Sequence, residues 1–150
     1  MRSFPDTSFL CSFYRTQEHS PKVDGYLDGH PEALEVSSLL LLEFRQSIRL
    51  QICLHSQDRT KGFSQHEGQA MLRDLQADLQ RQIFQVVSVD WLAVHQLAEM
   101  LSAKFTEAQG HRLADILHVA TALSLGAEEF LTFDAQQKTL ALAEGMKVPW

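Results

Sequence analysis

The sequence predicts a three-layer α/β/α sandwich around a central parallel sheet. Short apolar runs rich in β-branched and aromatic residues alternate with longer helical patterns, and Asp, Ser or Gly marks most of the junctions. Strands separated by helices pair in parallel through right-handed crossovers, which places helices on both faces of the sheet. At 150 residues and 45% hydrophobic composition the chain is long enough for one domain, 1–150, that buries about 68–70% of its unfolded surface. It shows no internal repeat.

The elements follow in order. Arg2–Pro5 is a short strand running into a helix capped near Asp6-Thr7-Ser8, whose short side-chain oxygens suit a helix N-terminus. Residues 19–33 hold two Pro and two Gly and are expected to form a loop. Leu34–Ser38 is a brief strand, and a helix from near Ser38 runs through Phe44, Ile48 and Leu54. A loop at Asp58–Ser64 precedes a helix over Glu67–Arg81. Ile83–Val89 is the clearest strand. Asp90 caps a helix to about Ala108, which Gln109-Gly110-His111 breaks. A helix over Arg112–Leu125 ends at Gly126, a good residue for a helix C-terminus. The strand Glu129–Phe133, a helix over Asp134–Glu144 stopped by Gly145, and a strand stub at Lys147–Val148 complete the pattern.

Composition narrows the function classes. Cys11 and Cys53 have neither zinc-ligand nor disulfide-framework spacing and are expected to be reduced, core-filling thiols. The N-terminus lacks the apolar core of a secretory signal, and the greasiest stretches are too short or too interrupted to cross a bilayer. A cytoplasmic protein is expected. The formal charge of −6 argues against tight electrostatic binding to nucleic acid. The excess is uneven: segments 1–42, 43–81 and 82–150 carry −3, +1 and −4. Arg45, Arg49, Arg59, Lys61, Arg73 and Arg81 of the basic segment are the expected phosphate contacts, Arg45 and Arg49 being four apart on one helix face, with a solvated surface role as the alternative. No Gly-rich phosphate loop, nucleophile elbow or H-E-x-x-H zinc motif is present.

The acids are more informative. Ligand sites of parallel α/β sheets form outside the carboxyl ends of strands. Asp6 directly follows the first strand and Asp134 directly follows Phe130-Leu131-Thr132-Phe133, so both belong at that edge, with helix capping as the simpler role. Glu43 and Asp115 each interrupt an apolar helical segment, where an unpaired carboxylate is costly. A salt bridge from Arg112, three residues before Asp115, is the simpler explanation there. Four such acids suggest one acidic cavity neutralised by a cation. All-oxygen ligation suits Mg²⁺ or Mn²⁺, which can activate water and clamp a phosphoryl oxygen. His118 is expected to be a buried, hydrogen-bonded histidine.

At these residues the sequence resembles the PIN-domain ribonucleases, most of all the VapC-type toxins of toxin–antitoxin pairs. The resemblance rests on Asp6-Thr7-Ser8-Phe9-Leu10, on Val36-Ser37-Ser38-Leu39 through Glu43-Phe44-Arg45, and most specifically on Arg112 to Ala122, which runs on into Gly126-Ala127, Leu131-Thr132-Phe133-Asp134-Ala135-Gln136-Gln137 and Ala141–Val148. It implies an acidic quartet of Asp6, Glu43, Asp115 and Asp134. Asp6 and Asp115 would contact the metal, while Glu43 and Asp134 would act directly or through water. Ser8 and Thr132 would hydrogen-bond within the site. The implied reaction is endonucleolytic hydrolysis of RNA without a covalent enzyme intermediate. The implied partners are a cognate antitoxin protein and a second copy in a homodimer. Pro5 departs from the apolar residue usual before the first Asp, so the first strand is expected to end early or to bulge. Two other readings compete: a catalytically silent PIN-like RNA-binding or scaffold protein, and a metal-dependent DNA nuclease or phosphatase using the same pocket.

Overall fold

Four short strands and the helices between them define the architecture. The computed structural model describes residues 1–150. In chain order the elements are β1 (Ser3–Pro5), α1 (Thr7–Tyr14), α2 (Ser20–Gly29), β2 (Leu34–Val36), α3 (Ser38–Gln57), α4 (Gln65–Gln80), β3 (Phe84–Val86) and α5 (Trp91–Leu101). A π-helical stretch (Ser102–Thr106), α6 (Glu107–Gln109), α7 (Leu113–Ser124), β4 (Glu129–Leu131) and α8 (Ala135–Ala143) follow. The α/β class and parallel pairing expected from the sequence hold. The ladders are two parallel pairs, β1 with β4 and β2 with β3.

The chain divides into two compact units. The first joins Met1–Phe9 to Val87–Trp150. In it, Ser3, Phe4 and Pro5 pair with Glu129, Phe130 and Leu131, and Lys147 adds a bridge to Glu129 as the anticipated terminal strand stub. Phe4, Phe130, Leu131, Val119 and Leu140 are fully buried around this pair. Helix α7 packs between α5 and α8. Pro5 neither bulges nor shortens the strand. Its nitrogen faces away from β4, because the amide that bonds to that strand belongs to the next residue: Asp6 N donates to Leu131 O at 3.1 Å.

The second unit is Leu10–Val86. Leu34, Glu35 and Val36 pair with Phe84, Gln85 and Val86, joined by a crossover through α3 and α4. Ser37 caps α3 by accepting from Leu40 N, and Ser64 caps α4 by accepting from Glu67 N. Phe44, Ile48, Leu40, Leu75 and Phe84 fill the core. Tyr14 donates to Asp78 at 2.7 Å; burial, reinforced by that carboxylate, pushes its phenol above the ordinary range. Helices α3 and α4 approach closely because Gly68 has no side chain: a Cβ there would lie 2.4 Å from Ile52 Cδ1.

Two further expectations are corrected, and a third holds with a local change of helix geometry. Residues 19–33 are not all loop, since Ser20–Gly29 is helical. Pro21 falls in the first turn, where its missing amide is no loss and its fixed φ favours the helix. Ser20 then ties the turn down, donating to Ser12 O at 2.6 Å and accepting from Gln17 N at 2.8 Å. Neither thiol is in a disulfide, but the core-filling role expected for them does not hold: Cys53 is exposed and Cys11 is only half-buried. Cys53 falls on the outer stripe of α3 with Leu42, Gln46 and Arg49, away from the buried Phe44 and Ile48. The helix expected from Asp90 to about Ala108 begins as read, with Asp90 accepting from Ala93 N. It widens into π geometry at Ser102–Thr106 and stops at Gly110, whose φ is +71°.

Gly62 carries the clearest backbone constraint of the second unit. Its φ is +58°, and an added Cβ would sit 2.0 Å from Gln51 O. Gly62→Ala is therefore expected to destabilise the protein by roughly 2–4 kcal/mol, from left-handed strain plus overpacking against main chain. Equilibrium denaturation of the two proteins measures this, and an unchanged midpoint would contradict it.

Candidate active site

Parallel pairing puts the carboxyl ends of β1 and β4 side by side, so the residues that leave the two strands meet. Asp6 leaves β1 and is fully buried. Its Oδ1 accepts from Phe9 N at 3.0 Å, capping α1, and from Ser8 Oγ at 2.6 Å. Its Oδ2 accepts from Thr132 Oγ1 at 2.5 Å, one residue past β4. Burial dominates and raises the Asp6 carboxyl to about 6, although the bonds from Ser8, Thr132 and Phe9 and the charge of nearby His118 oppose it.

Thr132 extends the connection. Its Oγ1 accepts from Asp134 N at 3.0 Å, while Phe133 N donates to Ser8 Oγ at 2.9 Å. Asp134 caps α8, accepting from Gln137 N at 2.9 Å. The Gln137 side chain then donates from Nε2 to Asp115 Oδ1 at 3.2 Å. Asp115 projects from the first turn of α7 and is half-buried. Asp6, Asp134 and Asp115 are thus joined by one hydrogen-bonded chain running through Thr132 and Gln137.

Trp150 closes over this edge. Its indole Nε1 donates to Thr132 O at 2.8 Å and its ring stacks on Phe133 at 4.8 Å between centroids. Lys138 Nζ donates to Trp150 O at 2.8 Å. This tether fixes the residue whose hydroxyl holds Asp6.

The structure brings together five of the residues singled out in the sequence: Asp6, Ser8, Asp115, Thr132 and Asp134. Glu43 lies in the second unit, half-buried on α3, followed by half-buried Arg45 and exposed Arg49. Arg112 is the exposed N-cap residue of α7 and makes no side-chain cap. His118 is fully buried, as expected. A cavity of about 280 Å³ in the second unit, lined by Cys11, Arg15, Ser47, Gln51, Phe63 and Met71 among others, holds none of the four acids.

Gln137 and Trp150 were not legible as site residues. Gln137 stands three residues after a helix-capping Asp, a spacing that ordinarily signals a local capping box. Trp150 lies two residues beyond the last block of the resemblance, and nothing in its neighbourhood marks it as a partner of Thr132.

The donor set suits a hard divalent cation. Asp6 and Asp115 offer oxygen, an ion would favour the charge that burial disfavours on Asp6, and the buried Oε1 of Gln137 has no hydrogen-bond partner. No group of three His, Cys, Asp or Glu side chains is gathered closely enough to hold a metal ion by itself. Mg²⁺ does not need one, since it keeps several waters and binds through one or two carboxylates.

The Asp6 shift has a stability consequence. A carboxyl raised from 3.8 to about 6 on folding favours the fold below pH 3.8 relative to neutral pH. That contribution, roughly 3 kcal/mol, is lost as pH rises through 6. Asp6→Asn removes the charge and can retain the bonds from Phe9 and Ser8. Without divalent ions it is expected to stabilise the protein by roughly 1–3 kcal/mol at pH 7.5 and by almost nothing near pH 4. Denaturation at both pH values checks this; an equal effect at both would refute it.

Comparison with known proteins bears on the family and the fold. The PIN domain family model matches residues 3–142, a span that includes all four acids. No curated protein sequence matches the chain. Among solved structures, the crystal structure of FitAcB from Neisseria gonorrhoeae is similar with a TM-score of 0.61 and 17% identity, over 97% of this chain and 95% of that one. At that identity the likeness is one of fold, and it supports an α/β sandwich of PIN type. With the family model spanning most of its length, the chain belongs to the PIN domain family.

Proposed function

We propose that this protein is a Mg²⁺- or Mn²⁺-dependent endoribonuclease that acts as the toxin of a toxin–antitoxin pair. The observation that carries the reading is the chain of hydrogen bonds linking Asp6, Asp134 and Asp115 beside the carboxyl ends of β1 and β4. When bound, the cation would supply an activated water and neutralise charge on the phosphoryl oxygens.

The protein's own groups have distinct tasks in this reading. Asp6 and Asp115 hold the cation, with Asp134 and Glu43 contributing directly or through water. Ser8 and Thr132 fix both oxygens of Asp6, so the carboxylate cannot rotate away. A carboxyl that titrates near 6 is ionised at neutral pH, as a ligand must be, and takes up a proton in mild acid. Arg45 and Arg49 meet the phosphate backbone from the one segment with net positive charge.

The toxin assignment rests on the motif blocks around Asp6, Glu43, Asp115 and Asp134, which resemble VapC-type proteins. It implies a cognate antitoxin whose basic groups offset this chain's net charge of −6. Exposed Leu42 and Leu50 on α3 suit a second copy in a homodimer. No helix is long and apolar enough to cross a membrane.

Purified protein is expected to cut RNA in Mg²⁺ or Mn²⁺, to leave a matched DNA intact, and to stop on chelation. Asp115→Asn should lower the cleavage rate by more than about 100-fold, beyond the 10–100-fold typical of losing an outer partner of a metal ligand. Its expression should no longer arrest growth. RNA cleavage that persists in chelator or in Asp115→Asn would sink the reading, as would equal cleavage of DNA.

A further inference from the structure

Gln137 occupies a position where sequence alone would assign it a purely local task. It follows the α8 N-cap, Asp134, by three residues, and in a capping box such a glutamine reaches back to the N-cap amide. Here that amide is already engaged, because Asp134 N donates to Thr132 Oγ1. The Gln137 side chain turns instead to another helix and donates to Asp115 Oδ1 at 3.2 Å. Its own main-chain N–H donates to Asp134 Oδ1 at 2.9 Å. One residue therefore grips two carboxylates of the site, one with each of its amide groups.

The other end of the side chain is equally informative. Gln137 is 4% exposed, and its Oε1 is buried without a hydrogen-bond partner. An ionised carboxylate can only accept, so Nε2 must face Asp115 and the carbonyl oxygen cannot be exchanged into that contact. A buried acceptor left unmatched is disfavoured, and an apolar residue of similar volume would avoid the problem. A glutamine placed so gains a purpose if a donor reaches Oε1 in the working state. Hydrated Mg²⁺ or Mn²⁺ supplies such donors, since water held by the ion presents its hydrogens outward.

We propose that Gln137 is a positioning residue for the cation: Nε2 orients Asp115, and the buried Oε1 accepts from a water molecule of the ion's hydration shell. This rests on the metal-dependent nuclease reading above. Partners of metal ligands act in this way, by fixing the ligand's orientation instead of touching the ion.

The test uses Mn²⁺ itself as the probe, with binding to the full chain measured by calorimetry and electron paramagnetic resonance. Gln137→Met keeps the volume while removing both the donor and the acceptor; Gln137→Leu is the companion variant. Each is expected to weaken Mn²⁺ binding by about 10–100-fold and to raise the Mn²⁺ concentration needed for half-maximal RNA cleavage. The unfolding midpoint in chelator should stay at or above that of the unsubstituted protein, because an unmatched buried acceptor is gone. If the unsubstituted protein binds Mn²⁺ and both variants bind within twofold of it, the role of Gln137 is refuted while the nuclease reading stands. If the unsubstituted protein binds no Mn²⁺, the metal reading falls and this role falls with it. Loss of folding in both variants would mark Gln137 as structural and would also overturn the proposal.

Discussion

The pairing of Phe4 with Phe130 and of Pro5 with Leu131 sets the geometry on which the candidate site depends. Because the strands are parallel, their next residues emerge at the same edge, and Asp6 comes level with Thr132. The amide of Asp6 extends the ladder to Leu131 O, and its carboxylate then has only one direction to take, into hydroxyls at Ser8 and Thr132 and the α1 amide of Phe9. Slipping the register by one residue would point Asp6 to the opposite face of the sheet. The buried phenylalanines of the two strands prevent that slip, since it would also expel Phe4 and Phe130 from the core.

Asp6 is consequently held in an environment that does not suit its charge in isolation. Burial raises its carboxyl to about 6, and the three donors around it offset only part of that effect. Fold and proposed chemistry pull in opposite directions at this point: a neutral side chain would make a more stable protein, but only an ionised one can serve a cation. The aromatic stack of Trp150 on Phe133, with the indole bond to Thr132 O, strengthens the surroundings where the carboxylate weakens them.

Asp6 and Asp134 were readable because each stands at a strand-to-helix junction and serves as a helix cap, a role written in the local sequence. Asp115 is readable for a different reason, as a charge interrupting an apolar helix, where a local pair with Arg112 is the simpler explanation. Gln137 is hidden in the sequence because its spacing from Asp134 supplies a sufficient local explanation, which the competing bond from Asp134 N to Thr132 overrides in the fold. The helix at Ser20–Gly29 was hidden by Pro21, Gly25 and Gly29; proline forbids a helix interior but not a first turn. The π-helical stretch at Ser102–Thr106 leaves no mark in an apolar periodicity that reads equally well as α. Partners within a few residues are thus legible, whereas those fixed by tertiary competition are not.

The first unit is assembled from chain segments that lie far apart, since Met1–Phe9 folds with Val87–Trp150. This has a consequence for the order of events during synthesis. Asp6 is made before Thr132, its partner across the strand ends, which is separated from it by 126 positions. Until β4 has emerged, β1 has no strand to pair with and Asp6 no second hydroxyl to hold it. Leu10–Val86 can complete its own core first, as sequential units do. The hydrogen bonds around Asp6 therefore close only after β4 and the start of α8 have been made, so the candidate site is assembled later than the strand pair of the second unit.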